Sequence, residues 1–219
     1  GELLRRKLYY AIDLKLYHVA SELGTQYLTN TNAGYEDYLA LGQALSRSGS
    51  QKAGLRFLEL ARLRAPEQVA PSVELAKAYK TQNQYRTAAL IMERVGLLGT
   101  ADAFIESAEL YRLGGENLQA LALNRLIVDT PARLRQRLAI ALDQRDYTIV
   151  TTLARDLRRN GLLQDDESIR YAVAYAYFKE GDHDEAKKLL AGIKKPELFR
   201  KATALREAMN RCSETPWSC

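Results

Sequence analysis

The soft metal ligands of this chain are two cysteines and two histidines, and their spacing decides what chemistry they can do. Cys212 and Cys219 lie seven positions apart and flank Pro216-Trp217. A disulfide needs Cα atoms about 4.4–6.8 Å apart, a span that a bent six-residue connection can satisfy. Such a bridge folds the tail back and implies an oxidising compartment, periplasmic or otherwise extracytoplasmic. The other reading is two unrelated thiols in a cytoplasmic protein. His18 and His183 are too far apart in sequence to build a local metal site, and two cysteines cannot make a four-cysteine zinc site. Phosphate-cradling G-x-x-x-x-G-K-[ST], dinucleotide-binding G-x-G-x-x-G and nucleophile-bearing G-x-S-x-G are all absent. No catalytic residue, cofactor or metal is therefore expected, and the chain does not read as an enzyme.

Charge offers the next candidates. Lys and Arg number 32 against 27 Asp and Glu, for a net +5. The basic clusters are Arg5-Arg6-Lys7, Arg155 with Arg158-Arg159, and Lys187-Lys188 with Lys194-Lys195. They could meet nucleic acid, an anionic membrane surface or an acidic polysaccharide. Interleaved Asp156, Asp184 and Glu185 favour a solvated helix surface instead, so nucleic acid is not an expected partner. The apolar content of 47% is that of a folded protein. The longest clean apolar run, Ala172 to Phe178, is far below the ~20 residues of a membrane-spanning helix. Gly1 to Lys7 lacks the apolar core of a signal peptide.

The elements that position these residues are helices. Ala, Leu, Arg, Glu and Gln dominate. Breaks fall at Arg47-Ser48-Gly49-Ser50, Gln82-Asn83-Gln84, Gly114-Gly115-Glu116-Asn117 and Glu180-Gly181-Asp182. This rhythm has a period near 34. From Tyr35 the chain reads Tyr38-x2-Leu41-Gly42-x2-Leu45, then Gly54, Leu58, Ala61 and Pro66. The next unit gives Leu75-Ala76-x2-Tyr79, Ala88, Met92 and Val95, and the following one Phe104, Ala108, Tyr111, Ala120 and Pro131. The last gives Val173-Ala174-x2-Tyr177, Ala186, Leu190, Ile193 and Pro196. In these three a Tyr precedes an Ala by nine residues: Tyr79 and Ala88, Tyr111 and Ala120, Tyr177 and Ala186. Two poorer units complete the series. One holds Leu8, Ala11, Tyr17 and Ala20, with Gly24 where bulk is expected. The other holds Ala139, Leu142, Asp146-Tyr147 and Val150 or Thr151, and fits only with a one-residue slip.

Over about residues 2–196 this pattern resembles the tetratricopeptide repeat (TPR). The resemblance implies an all-α, right-handed superhelical solenoid of about six helical hairpins, each stabilised by its neighbours. A C-terminal capping helix over about 197–211 follows, with Pro196 near its first turn and an apolar stripe of Leu198, Ala202, Leu205, Ala208 and Met209. The whole of 1–211 then forms one domain, followed by a non-helical tail, 212–219. Small residues at positions 8 and 20 let helices A and B of each hairpin approach closely. Bulky ones at 4, 7, 11 and 24 fill the space between, Tyr177 among them.

The resemblance also implies a function: a non-catalytic interaction scaffold binding a peptide or partner protein in a concave groove, in association with a larger bacterial envelope or secretion complex. A carbohydrate-binding or polymer-guiding module in exopolysaccharide export is the alternative. Groove contacts come from A-helix positions 2, 5, 9, 12 and 13. The partner-binding candidates are Arg5, Tyr9, Gln43, Arg47, Lys77, Lys80, Glu109, Arg112, Tyr171, Tyr175 and Phe178. The last three form either an interaction stripe or a packing contact. The pattern by which some repeats clamp a chaperone's terminal carboxylate is absent, since its positions hold Arg5, Tyr9, Ala40, Ala70 and Glu74. His18 and His183 are expected to be exposed near A–B turns.

Overall fold

The computed structural model describes the backbone of residues 1–214, and its regular elements are all helices. The chain divides into two compact units, Gly1–Leu126 and Ile127–Cys219. The first stacks four hairpins: α1 (Glu2–Asp13) with α2 (Tyr17–Asn30), α3 (Tyr35–Arg47) with α4 (Gln51–Arg64), α5 (Val69–Thr81) with α6 (Tyr85–Leu97), and α7 (Ala103–Leu113) with α8 (Asn117–Asn124). The second contains α9 (Thr130–Asp143) with α10 (Tyr147–Arg159), a single turn α11 (Leu162–Asp165), and α12 (Glu167–Lys179) with α13 (His183–Leu190). It ends in α14 (Pro196–Glu214). The six hairpins and a last helix are as expected, but that helix runs to Glu214, three residues into the stretch expected to be a non-helical tail, and α11 is an addition. Within each unit every helix packs on its sequence neighbours, and α3 also touches α5.

One turn is repeated six times. Two residues past each A helix comes a residue with positive φ: Lys15 (58°), Gly49 (87°), Asn83 (58°), Gly115 (77°), Arg145 (55°) and Gly181 (83°). The amide three residues beyond each A helix donates back to position 11, as in Leu16 to Ala11, Ser50 to Leu45, Gln84 to Tyr79, Glu116 to Tyr111, Asp146 to Ala141 and Asp182 to Tyr177. The left-handed residue itself donates to position 12 in all six. These are the two bonds of the Schellman motif, which satisfies the orphan carbonyls at a helix end. The acceptor of the next helix's first bond follows at once: the amides of Ala20, Gly54, Ala88, Ala120, Val150 and Ala186 donate to residues 16, 50, 84, 116, 146 and 182. The nine-residue offset from Tyr to Ala is this pair of chained bonds. It also sets the register of the fifth hairpin, where Ala141 and Val150 hold positions 11 and 20.

The small residues lie where the backbones nearly touch. Ala20, Ala88, Ala120 and Ala186 are fully buried, as are Ala108 and Ala174 at position 8. A Cβ on Gly42 would come within 2.7 Å of Leu58, and one on Gly54 within 2.9 Å of the Gly42 carbonyl. Gly24 is no defect of the pattern. A Cβ there would sit 2.2 Å from Leu41, so the buried Leu41 side chain fills the volume that a bulky residue at 24 would take.

In the second unit, Ala202, Leu205 and Met209 of α14 are buried in one core with Val173, Leu189 and Leu190. Tyr177, expected in that core, is only half-buried. Its ring packs against the core, and burial, followed by the Glu185 charge, raises its hydroxyl pKa. Cys212 is a half-buried residue of α14, whereas Cys219 and the pairing expected for it lie outside the described residues.

Non-glycine residues pay about 1–2 kcal/mol in the left-handed region, while glycine costs up to about 1 kcal/mol of extra chain entropy. Lys15→Gly and Arg145→Gly should therefore each stabilise the protein by up to about 1 kcal/mol. Gly49→Ala should have the opposite sign. Urea midpoints of the three variants check this, and a loss of stability in Arg145→Gly would contradict the fifth turn.

Candidate functional site

The expected contact residues on the A helices meet different fates. Arg5 and Tyr9, one turn apart on α1, both reach across to α3. The Arg5 Nε donates to Asp37 Oδ1 at 3.0 Å and the Tyr9 hydroxyl to the same oxygen at 3.1 Å. From α2, the Tyr27 hydroxyl donates to Asp37 Oδ2 at 3.1 Å. Asp37 is buried, so one carboxylate takes three hydrogen bonds away from water. Burial, followed by the Asp37 charge, raises the hydroxyl pKa of both tyrosines. The hydrogen bond to Asp37 and its charge raise that of the Arg5 guanidinium. These two expected partner-binding residues serve the seam between the first two hairpins.

Further along the first unit, the ion pairs are internal. Lys80 of α5 meets Glu106 of α7 at 2.7 Å. Arg112 clasps Glu109 through Nε at 2.8 Å and Nη2 at 2.6 Å. Lys77 meets Glu74 at 2.7 Å.

Gln43, Arg47 and Lys77 are brought together. With Ser46, Gln51, Glu74, Thr81 and Gln82 they line an open cavity of about 220 Å³ between α3, α4 and α5, floored by Leu58 and Ala78. Behind this lining, Ser46 Oγ and Gln82 Nε2 are shut off from solvent without a hydrogen-bond partner, the former against Gly54 of α4. Arg47 is exposed and makes no ion pair with the described residues.

The remaining candidates belong to the second unit. Tyr175 stands edge-on to Tyr147 with centroids 5.8 Å apart and lies 6.4 Å from Phe178, which stacks on His183 at 5.6 Å. The Lys179 ammonium sits 5.7 Å from the Tyr175 centroid and 5.8 Å from that of Phe178. Tyr171, Tyr175 and Phe178 are half-buried and pack against the unit's core. The stripe thus packs on the core with part of each ring still exposed. His18 is exposed as expected, but His183, the first residue of α13, is half-buried beneath Phe178.

A tetratricopeptide repeat protein from Parabacteroides merdae ATCC 43184 has a similar structure, with a TM-score of 0.59 at 15% identity, over 97% of this chain and 86% of that one. The C-terminal part of a TPR repeat-containing protein from Cytophaga hutchinsonii gives 0.64 at 16% identity, over 91% and 86%. The chain has the tetratricopeptide-repeat fold. At these identities the likeness is one of fold. No protein-family model matches the sequence, and no curated protein does.

Seen as TPR hairpins, the recurrent tyrosines acquire a second role. Tyr79 donates its hydroxyl to Glu59 on the preceding B helix, and Tyr111 donates to Glu93, the equivalent residue one repeat on, at 3.0 Å. The apolar ring fills the space between hairpins while its oxygen is held by a carboxylate. Asp37 at the first seam and Gln82 beside the cavity are the residues that spacing alone missed. Asp37 had a signal: it lies four residues before Leu41, on the buried stripe of α3, where a carboxylate needs partners. Gln82 had none, being one residue beyond its helix. The outer basic clusters are diluted by acids, with Arg6 beside Glu2 and both Arg158 and Lys188 beside Glu185. No group of three or more His, Cys, Asp or Glu among the described residues could hold a metal ion, and no described helix is long and apolar enough to cross a membrane.

Burial, then the bonded carboxylate, pushes the hydroxyls of Tyr79 and Tyr111 up to about 12. Because these values exceed the unfolded value near 10, the stabilisation is complete below about pH 10 and is lost as pH rises towards 12. Thermal melts across that window should show steep alkaline destabilisation. The double variant Tyr79→Phe/Tyr111→Phe should be less stable at pH 7 but lose less between pH 10 and 12; an unchanged slope would refute the assignment.

Proposed function

We propose that this chain is a non-catalytic scaffold that binds a peptide or partner protein along the A-helix faces of its hairpins. The cavity between α3, α4 and α5 carries the reading. It is open, it is lined by the apolar Leu58 and Ala78 as well as by polar side chains, and it includes the exposed, unpaired Arg47. The carbohydrate-guiding alternative calls for aromatic and arginine side chains gathered in one groove. The cavity with Arg47 has no aromatic lining, and the aromatic group of the second unit is accompanied by a lysine.

We further infer an extracytoplasmic, most simply periplasmic, address with a role in envelope or secretion assembly. Its support is the Cys212 and Cys219 spacing alone.

Two experiments test these readings. A photo-crosslinking residue at Gln43 or Lys77 should capture the same partner in cells of the source organism, while the same residue at Lys52 or Arg56 on α4 should not. Equal capture from both sets would refute binding by the A face. Intact-mass analysis with and without alkylation, on protein from its native compartment, should show no free thiol. Two alkylated cysteines would remove both the bridge and the extracytoplasmic address.

A further inference from the structure

The outer face of the first hairpin carries apolar side chains that no described residue covers. Leu3, Tyr10 and Leu14 are each 68% exposed, and Leu16 and Val19 at the start of α2 are 51% and 45% exposed. Residues 3, 7, 10 and 14 are spaced by four, three and four, so Leu3, Lys7, Tyr10 and Leu14 share one face of α1. Leu8 and Ala11 are buried in the core of the hairpin on the other face. The first helix is thus apolar on two sides, and such a helix belongs between two neighbours.

The other hairpins of this unit show what fits there. Positions 3, 7 and 10 are Asp37, Leu41 and Ala44 on α3, Pro71, Leu75 and Ala78 on α5, and Ala103, Ser107 and Leu110 on α7; all of them are buried. The preceding B helix supplies the cover. Tyr27 of α2 bonds Asp37, Leu41 packs against Gly24 of α2, and Ser107 donates to the Ala89 carbonyl of α6 at 2.8 Å. A helix is therefore the shape that this face accepts.

Charge selects which helix. On and beside the stripe, α1 exposes the acids Glu2 and Asp13 and the bases Arg6 and Lys7, so the face has no net charge to attract an anionic surface. Arg6 pairs with Glu2, whereas Lys7 and Asp13 make no ion pair with the described residues. The acids lie towards the helix ends and the bases between them. A second copy of the same helix, running the opposite way, brings Asp13 towards the bases and matches apolar residues with apolar ones.

We propose that α1 pairs with α1 of a second copy, antiparallel about a two-fold axis, to form a homodimer. With the axis between positions 8 and 9, Leu3 meets Leu14 of the other copy. Tyr10 meets Lys7, whose methylenes lie along the ring while its ammonium reaches water. The same flank of each helix meets in such a pair, and there Arg6 and Asp13 of opposite copies are offset by two residues, about 3 Å. A two-fold contact is closed, so both stripes are covered at once and no third copy is recruited. The contact is also small. A 12-residue helix is about 18 Å long, and two of them with Leu16 and Val19 fall short of the roughly 1,200–2,000 Å² of a standard interface. The dimer is therefore weak and reversible.

The test is analytical ultracentrifugation of the intact chain from about 1 to about 500 μM, a range in which a dimer with a Kd of roughly ten-micromolar order forms from monomer. Tyr10→Glu, an exposed substitution whose circular dichroism should match wild type, should raise the Kd more than about tenfold by placing a charge in the stripe. Arg6→Asp and Asp13→Arg should each weaken the dimer about threefold, and the double variant should recover it, as a swapped surface charge pair does. Monomer at every concentration overturns the proposal, as does a dimer insensitive to Tyr10→Glu. A double variant weaker than either single one overturns the antiparallel pairing. Flotation of the protein with phosphatidylglycerol vesicles, abolished by Tyr10→Glu, overturns self-pairing in favour of a lipid surface. If protein from its native source carries residues before Gly1 and stays monomeric where this chain dimerises, those residues cover the face and self-pairing falls. The scaffold reading rests on the α3–α4–α5 cavity and stands or falls separately, by the crosslinks at Gln43 and Lys77.

Discussion

The close approach of the two helices within each hairpin is the constraint on which the rest of this structure depends. It requires residues with little or no side chain at two places, and it requires the chain to reverse within a few residues. The Schellman turn supplies the reversal by fixing position 15 in the left-handed region, so that position 16 caps one helix and opens the next. Position 20 is then aligned against position 8 without further choice. Gly42 and Gly54 show how little room remains, since a methyl on either collides with the partner helix or its side chains. Once the hairpin is closed, its apolar face can be covered only by the next hairpin, and stacking follows.

This dependence explains which parts of the fold were legible in the sequence. Hairpins whose turn carries Gly or Asn announce themselves, because those residues tolerate positive φ. The fifth hairpin was hidden because Arg145 occupies that position and Val150 replaces the small residue at 20, so neither marker was present; α8, only eight residues long, had also shortened the preceding unit. The first hairpin looked defective at Gly24 because one strand of sequence cannot reveal that Leu41, on the next helix, supplies the missing volume. Compensation between elements is a property of packing, and a periodic pattern records only positions.

The same limit governs the candidate site. A repeat position indicates which way a side chain faces, but not whether its bonding capacity is already used. Arg5 and Tyr9 face as expected and are occupied by Asp37; Lys80 and Arg112 face as expected and are neutralised by Glu106 and Glu109. Of the charged candidates in the first unit, Arg47 alone retains an unpaired charge among the described residues. Internal pairing thus accounts for the charge of every other charged candidate in that unit and leaves Arg47 on α3 exposed.

The buried Asp37 cluster and the helix caps divide the labour of specifying this structure. Side-chain caps among the described helices come from Asp129, Asp146, Asp166 and Asp182, all in the second unit, and such caps are worth about 1 kcal/mol each. The helices of the first unit have none, so their hairpins hold together through packing and the Schellman bonds. Apolar packing alone is a weak guide to register, because ridges of Ala and Leu can interlock after a shift of one turn. Asp37 removes that freedom between the first two hairpins. A shifted seam would leave its carboxylate buried without Tyr9, Tyr27 and Arg5, at a cost of more than about 1–3 kcal/mol for an unsatisfied charged group. Where caps do not define the hairpins of the first unit, a buried charge with three donors fixes how two of them meet.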